Sequence, residues 1–128
     1  MPAAVAIRGL GTDLVEIERF RRALTRRAAL GPRLFSERER EYANRQHDPA
    51  KSLAARFGAK EAVMKAKGVG LWAFGFRDVE VVRRDSGEPE VVLHGRAAEA
   101  AAERGITGWQ LSLTHTDTTA MAVAIALG

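Results

Sequence analysis

The sequence predicts a mixed fold of helices and antiparallel hairpins, on three observations. Residues 50–67, AKSLAARFGAKEAVMKAK, form the longest stretch with helical spacing and contain no proline. Val79–Val82 and Val91–Leu93 flank the turn-forming run Asp85-Ser86-Gly87-Glu88-Pro89, which predicts a hairpin. Trp109–His115 and Met121–Leu127 alternate on either side of the polar Thr116–Thr119, which predicts a second.

Taken in order, Val5–Asp13 alternates as a strand with Val5, Ile7, Gly9, Gly11 and Asp13 on one face, so an acid ends that face. From Leu14 the period changes. Leu14, Ile17, Phe20 and Leu24 recur at helical spacing, and Gly31-Pro32 is expected to stop this helix. Ser36 with Glu39 three positions on has the form of a capping box and predicts a short helix, followed by a loop over Arg45–Pro49. Gly68 and Gly70 end the long helix, and the aromatic run Trp72–Phe76 leads to the first hairpin. Arg96–Arg104 reads as a helix ended by Gly105.

At 128 residues the chain fits one domain, residues 1–128, with a core large enough to fold without a metal or disulfide. It has no cysteine, which excludes thiol catalysis, cysteinyl zinc sites and disulfides, and agrees with a cytoplasmic location. No stretch approaches the roughly 20 apolar residues that span a bilayer, so no membrane is expected. The formal charge of +4 favours an acidic partner or a phosphorylated ligand. Five arginines between residues 19 and 27 (Arg19, Arg21, Arg22, Arg26 and Arg27) point the same way for the first helix.

Asp13 and Glu61 are the acids with the most informative settings. Where a strand passes into a helix, Asp13 suits a hard cation that prefers oxygen ligands, and with Glu16 it has the form of a capping box as well. Glu61 falls within about 60° of Phe57 and Met64 around the long helix, an acid at the margin of an apolar stripe. Lys65, four residues on, is its ordinary ion-pair partner by spacing. Alternatively, Asp13 and Glu61 hold one divalent cation while Lys65 meets phosphate oxygens that the cation also contacts. Magnesium suits this, since it needs only one or two carboxylates beside phosphates and water. Arg56 and Lys67 add charge for further phosphates. His115 shares a strand face with Trp109, Leu111 and Leu113, which reads as a buried histidine, or, at the strand end, as a phosphate or proton contact.

GTDLVEIERF, SLAARFGAKEAVMKAKG, GEPEVVLHG and SLTHT, in this order over most of the chain, resemble the short bacterial holo-acyl-carrier-protein synthases. The resemblance implies an α+β fold of the phosphopantetheinyl transferase type, a mostly antiparallel sheet packed against a long helix. It implies a homotrimer with active sites between subunits, magnesium as cofactor and coenzyme A as donor. By matching motifs, Asp13 and Glu61 become the magnesium ligands, and Arg56, Lys65, Gly68, His115 and Thr116 lie along the coenzyme A site. Arg19 and Arg22 would meet an acidic apo acyl carrier protein.

The reaction so implied is attack of a carrier-protein serine on the β-phosphate of coenzyme A, releasing 3′,5′-ADP. Asp13, Glu61 and Lys65 would carry the catalysis by positioning and charge. The base is either a metal-held water or a carboxylate acting through that water. Thr116 follows the histidine where some relatives have an acid, so Asp117 is left out of the site. Two other classes compete: a basic nucleic-acid-binding module and a non-catalytic carrier-docking domain. No zinc spacing or base-stacking aromatic motif supports the first, and a carboxylate pair with a lysine exceeds what the second needs.

Overall fold

The computed structural model describes residues 4–68 and 75–128. Its elements are β1 (Ile7–Glu16), α1 (Ile17–Arg26), α2 (Leu30–Leu34), α3 (Glu37–Asn44), α4 (Pro49–Lys67), a 3₁₀ turn (Phe76–Asp78), β2 (Val79–Arg83), β3 (Pro89–Leu93), α5 (Gly95–Glu103), β4 (Gly108–His115) and β5 (Thr119–Leu127). Both predicted hairpins form, as β2–β3 and β4–β5, and β1 adds to the second to give an antiparallel sheet in the order β1-β5-β4. The result is the expected mixture of helices and antiparallel sheet around a long helix. Gly70 and Trp72–Phe74, expected to lead out of that helix, lie outside the described residues.

The first strand corrects an expectation. β1 runs on to Glu16 because Asp13, Leu14, Val15 and Glu16 pair with Ala122, Met121, Ala120 and Thr119 of β5. Asp13 is therefore a strand residue and caps no helix. Glu16 takes the N-cap position of α1 without a side-chain cap bond. Leu14, read as the first helical residue, also belongs to the strand.

The expected helix stop moves as well. α1 ends at Arg26, while Gly31-Pro32 falls inside α2, where Pro32 occupies the first turn and has no helical N–H partner to lose. Ser36 and Glu39 make the predicted capping box at the start of α3. α4 begins with Pro49 in its first position and Asp48 as cap, and ends at Gly68, whose φ of 72° is left-handed.

α4 lies across one face of the sheet. A Cβ at Gly9 or Gly11 would run into the carbonyls of Ala66 or Ala62, so the glycines let strand and helix backbones touch. Ala120, Ala122, Ala124 and Ala126 of β5 are buried on that same side. The opposite side of α4 packs against α3, β2 and α5. Phe57 stands between Phe20 of α1 and Phe76, with ring centroids 5.0 and 5.4 Å away.

On the other face β1 and β5 present an uncovered apolar strip, beside the polar Gln110, Ser112 and Thr114 of β4. Leu10 and Leu14 are 62% and 67% exposed, and their register partners Ile125 and Met121 share that face with Val123. No helix among the described residues is long and apolar enough to cross a membrane.

Candidate active site

Asp13, Glu61 and Lys65 come together where β1 crosses α4. Alternation puts Asp13 on the helix-facing side of β1, beside the bare backbone of Gly58, where an added Cβ would stand 4.0 Å from Asp13 Oδ2. Lys65 Nζ donates to Asp13 Oδ1 and to the Thr12 carbonyl, each at 3.0 Å. The ion pair predicted by helix spacing, Lys65 with Glu61, is replaced by this cross-element pair. Geometry explains the choice: Asp13 and the end of β1 lie within reach of the ammonium, and the carboxylate is nearly covered while the lysine is half exposed.

Glu61 is left beside them with no hydrogen bond or ion pair among the described residues. Burial pushes its carboxyl above the ordinary 4.5, and the neighbouring Asp13 charge pushes it further against the opposing Lys65. Two carboxylates beside one ammonium, which pairs with Asp13 alone, make a site of net negative charge on oxygen donors. That donor set fits magnesium, which takes one or two carboxylates and fills its remaining positions with phosphate and water. No cluster of three or more metal-binding side chains exists among the described residues, so the pair is the candidate.

A groove of about 420 Å³ opens from these acids toward α1, lined by Asp13, Glu61, Phe57, Phe20 and Arg19. It joins the two carboxylates to the basic helix. Arg19 and Arg22 are exposed, as expected of docking residues, whereas Arg21 is tied to Glu18 and to both oxygens of Asp48.

Arg56 stands apart from the acids, on the far side of α4. It is 7% exposed, donates from Nη1 to Ser52 Oγ at 3.1 Å, and lays its guanidinium 4.2 Å over the Tyr42 ring. Its Nε is buried without a hydrogen-bond partner among the described residues. Arg83 from β2 donates to the Tyr42 hydroxyl at 2.6 Å, and Arg45 lies 5.9 Å over the same ring. None of these arginines has a carboxylate partner among the described residues, so the cluster has the charge to receive a phosphate. Sequence reasoning missed Tyr42, Ser52 and Arg83. Helical spacing could have found Ser52, four residues before Arg56; the other two come from separate elements.

His115 does not behave as a buried histidine. It is exposed at the end of β4, two strands from Asp13, next to a turn in which Thr116 Oγ1 accepts from the N–H groups of Thr118 and Thr119. Gly68 caps α4 three residues beyond Lys65. Lys67 differs from expectation: it is 2% exposed and donates to the Ala97 carbonyl at 2.7 Å, so its charge is spent inside the fold. Burial, then Arg104, lowers its ammonium to about 8.

Within one chain the structure thus assembles the acids and Lys65, and carries Arg56 and the His115–Thr116 turn on separate elements. The chain as a whole, rather than this site alone, is matched by known proteins. Residues 9–124 match the model of the 4′-phosphopantetheinyl transferase superfamily. The holo-[acyl-carrier-protein] synthase of Caldanaerobacter subterraneus subsp. tengcongensis is 44% identical over 119 residues, 93% of this chain and 94% of that protein. The crystal structure of holo-[acyl-carrier-protein] synthase from Neisseria meningitidis superposes with a TM-score of 0.87 at 31% identity, covering 94% of this chain and 98% of that one. That of the Bacillus anthracis synthase in complex with coenzyme A (3′,5′-ADP) gives 0.79 at 28%, covering 98% and 99%. The chain belongs to the 4′-phosphopantetheinyl transferase superfamily.

Proposed function

We infer that the chain is a holo-acyl-carrier-protein synthase: it transfers 4′-phosphopantetheine from coenzyme A to a serine of apo acyl carrier protein and releases 3′,5′-ADP. Family membership over most of the chain supports this, as do relatives named as that synthase and a similar structure holding coenzyme A. The observation that carries it is the unpartnered Glu61 beside the Asp13–Lys65 pair. A docking module has no use for such a site, and nucleic acid would be repelled by it.

In this reading Asp13 and Glu61 hold magnesium, which when bound would offset charge on the pyrophosphate. Lys65 exchanges its contact with Asp13 for phosphate oxygens, keeping a positive charge beside the bond that breaks. The serine hydroxyl arrives through the groove lined by Phe20 and Phe57 while Arg19 and Arg22 hold the acidic carrier. Its oxygen forms a bond to the β-phosphorus as the bond to the bridging oxygen of 3′,5′-ADP breaks, and its proton leaves through a water beside the two carboxylates.

Arg56, with Arg83 and Tyr42, receives a phosphate of coenzyme A, and His115 and Thr116 reach it from a neighbouring copy. The separation of Arg56 from the His115 turn within one chain supports a site shared between subunits. The uncovered apolar face around Leu10, Leu14 and Ile125 supports the homotrimer, because such a face is stable in water only when something buries it. The same reading puts the enzyme in the cytoplasm, where a chain without cysteine is at home.

The test is incubation with coenzyme A, magnesium and apo carrier proteins, followed by intact-mass spectrometry for the added arm. Glu61→Gln is expected to fold normally and to lose transfer by about two orders of magnitude, the scale of several kcal/mol of metal stabilisation. Absence of the added mass from carriers of both fatty-acid and polyketide type would overturn the assignment.

A further inference from the structure

Glu61 can meet a metal only if α4 is held at one angle about its own axis, and the sheet side of the helix is poorly built to hold it. There Gly9 and Gly11 face the backbone at Ala66 and Ala62, with Gly58 against Val15 and Ala122. These contacts are close but carry no directional bond; the side-chain tie on this side among the described residues is the half-exposed Lys65, which donates to Asp13 and Thr12. A roll of about 10° at a carboxylate radius of roughly 6 Å moves the carboxylate by about 1 Å, a large error for a cation that demands ligands at fixed distances.

The back of α4 is built differently. Lys60, adjacent to Glu61 and on the side away from the sheet, has no exposed side-chain surface, and neither has Glu39 of α3. Lys60 Nζ donates to Glu39 Oε1 at 2.7 Å and to the Phe76 carbonyl at 2.9 Å. Glu39 is itself pinned: its Oε1 accepts from Ser36 N at 3.0 Å and its Oε2 from Val81 N at 3.1 Å. One carboxylate thereby ties the start of α3, the strand β2 and the middle of α4. A buried ion pair is a poor device for raw stability, since apolar replacements of equal volume often do as well, but its hydrogen bonds are directional.

We propose that Glu39 and Lys60 are positioning residues for the metal site: their buried ion pair sets the roll of α4 and so places Glu61 against Asp13. This rests on the reading of Glu61 as a magnesium ligand.

The double variant Glu39→Gln/Lys60→Met keeps the volume and removes the ionic tie; the single amide oxygen of the glutamine can accept from one of Ser36 N and Val81 N, and the other bond is lost. It should remain folded, with a thermal midpoint lowered by several degrees for the buried polar groups left unpaired. Its affinity for magnesium alone, titrated calorimetrically, should fall roughly tenfold or more, the usual effect of losing an outer-shell support. Unchanged affinity in the folded double variant overturns the proposal. Should it fail to fold, Glu39→Asp, which keeps both charges but shortens one arm of the tie, is expected to weaken magnesium by a smaller factor, and wild-type affinity there would be equally decisive against it. Glu61→Gln is titrated alongside. If it binds magnesium as wild type does, the metal reading is wrong and the proposal falls with it; if only the double variant matches wild type, the metal reading survives and the positioning role does not.

Discussion

Lys65 Nζ stands 3.0 Å from Asp13 Oδ1, joining a strand and a helix whose residues are 52 apart in the chain. The lysine's neighbour on its own helix, Glu61, is passed over. That single preference creates the site, because it balances one acid and leaves the other in need of a cation.

Asp13→Asn separates catalysis from folding. Asp13 caps no helix, and its pair with a half-exposed lysine is worth only about 0–1 kcal/mol. The variant should melt within a few degrees of wild type and yet lose magnesium-dependent transfer by about two orders of magnitude. Differential scanning calorimetry with the mass assay checks both halves; a large drop in melting temperature would return Asp13 to a structural role.

Metal binding should depend on pH through Glu61. Its folded value lies above the ordinary 4.5, so the stability it contributes is full below that value and is lost as pH rises through the folded value. Magnesium requires the ionised form and acts in the opposite sense. The rise in melting temperature on adding magnesium is therefore expected to be larger near neutral pH than at about pH 5, and to vanish in Glu61→Gln at both.

Arg83→Ala removes the donor to the Tyr42 hydroxyl and one charge from the cluster around Arg56. Affinity for coenzyme A should fall by roughly tenfold, as for one charge-assisted hydrogen bond, with little change in kcat at saturation. A wild-type KM for coenzyme A would place the phosphate elsewhere.

Leu10→Glu puts a charge on the uncovered sheet face, away from the acids. Light scattering should show the wild type as a trimer and the variant as smaller species. A variant of unchanged mass would mean that this face is not the subunit contact.

Much of the architecture was legible because it depends on local pattern. The capping box of Ser36 and Glu39 formed as spacing predicts, as did both hairpins and the left-handed Gly68 that ends the long helix. The boundary at Asp13 was not, because a strand continues as long as it has a partner, and the partner β5 lies more than a hundred residues on. Lys67 looked like surface charge beside Lys65, yet two residues of helical rotation, about 200°, carry it to the side covered by α5.

The sequence by itself determined most of the elements, the family and the candidacy of Asp13, Glu61 and Lys65, since turn chemistry, periodicity and motif are properties of neighbouring residues. Only the tertiary structure decided which of them touch. It gave Lys65 to Asp13, hid Lys60 against Glu39, and stacked Arg56 on Tyr42 within reach of Arg83. Partner choice among charges depends on distance and burial, and those exist only once strand, helix and hairpin are packed together.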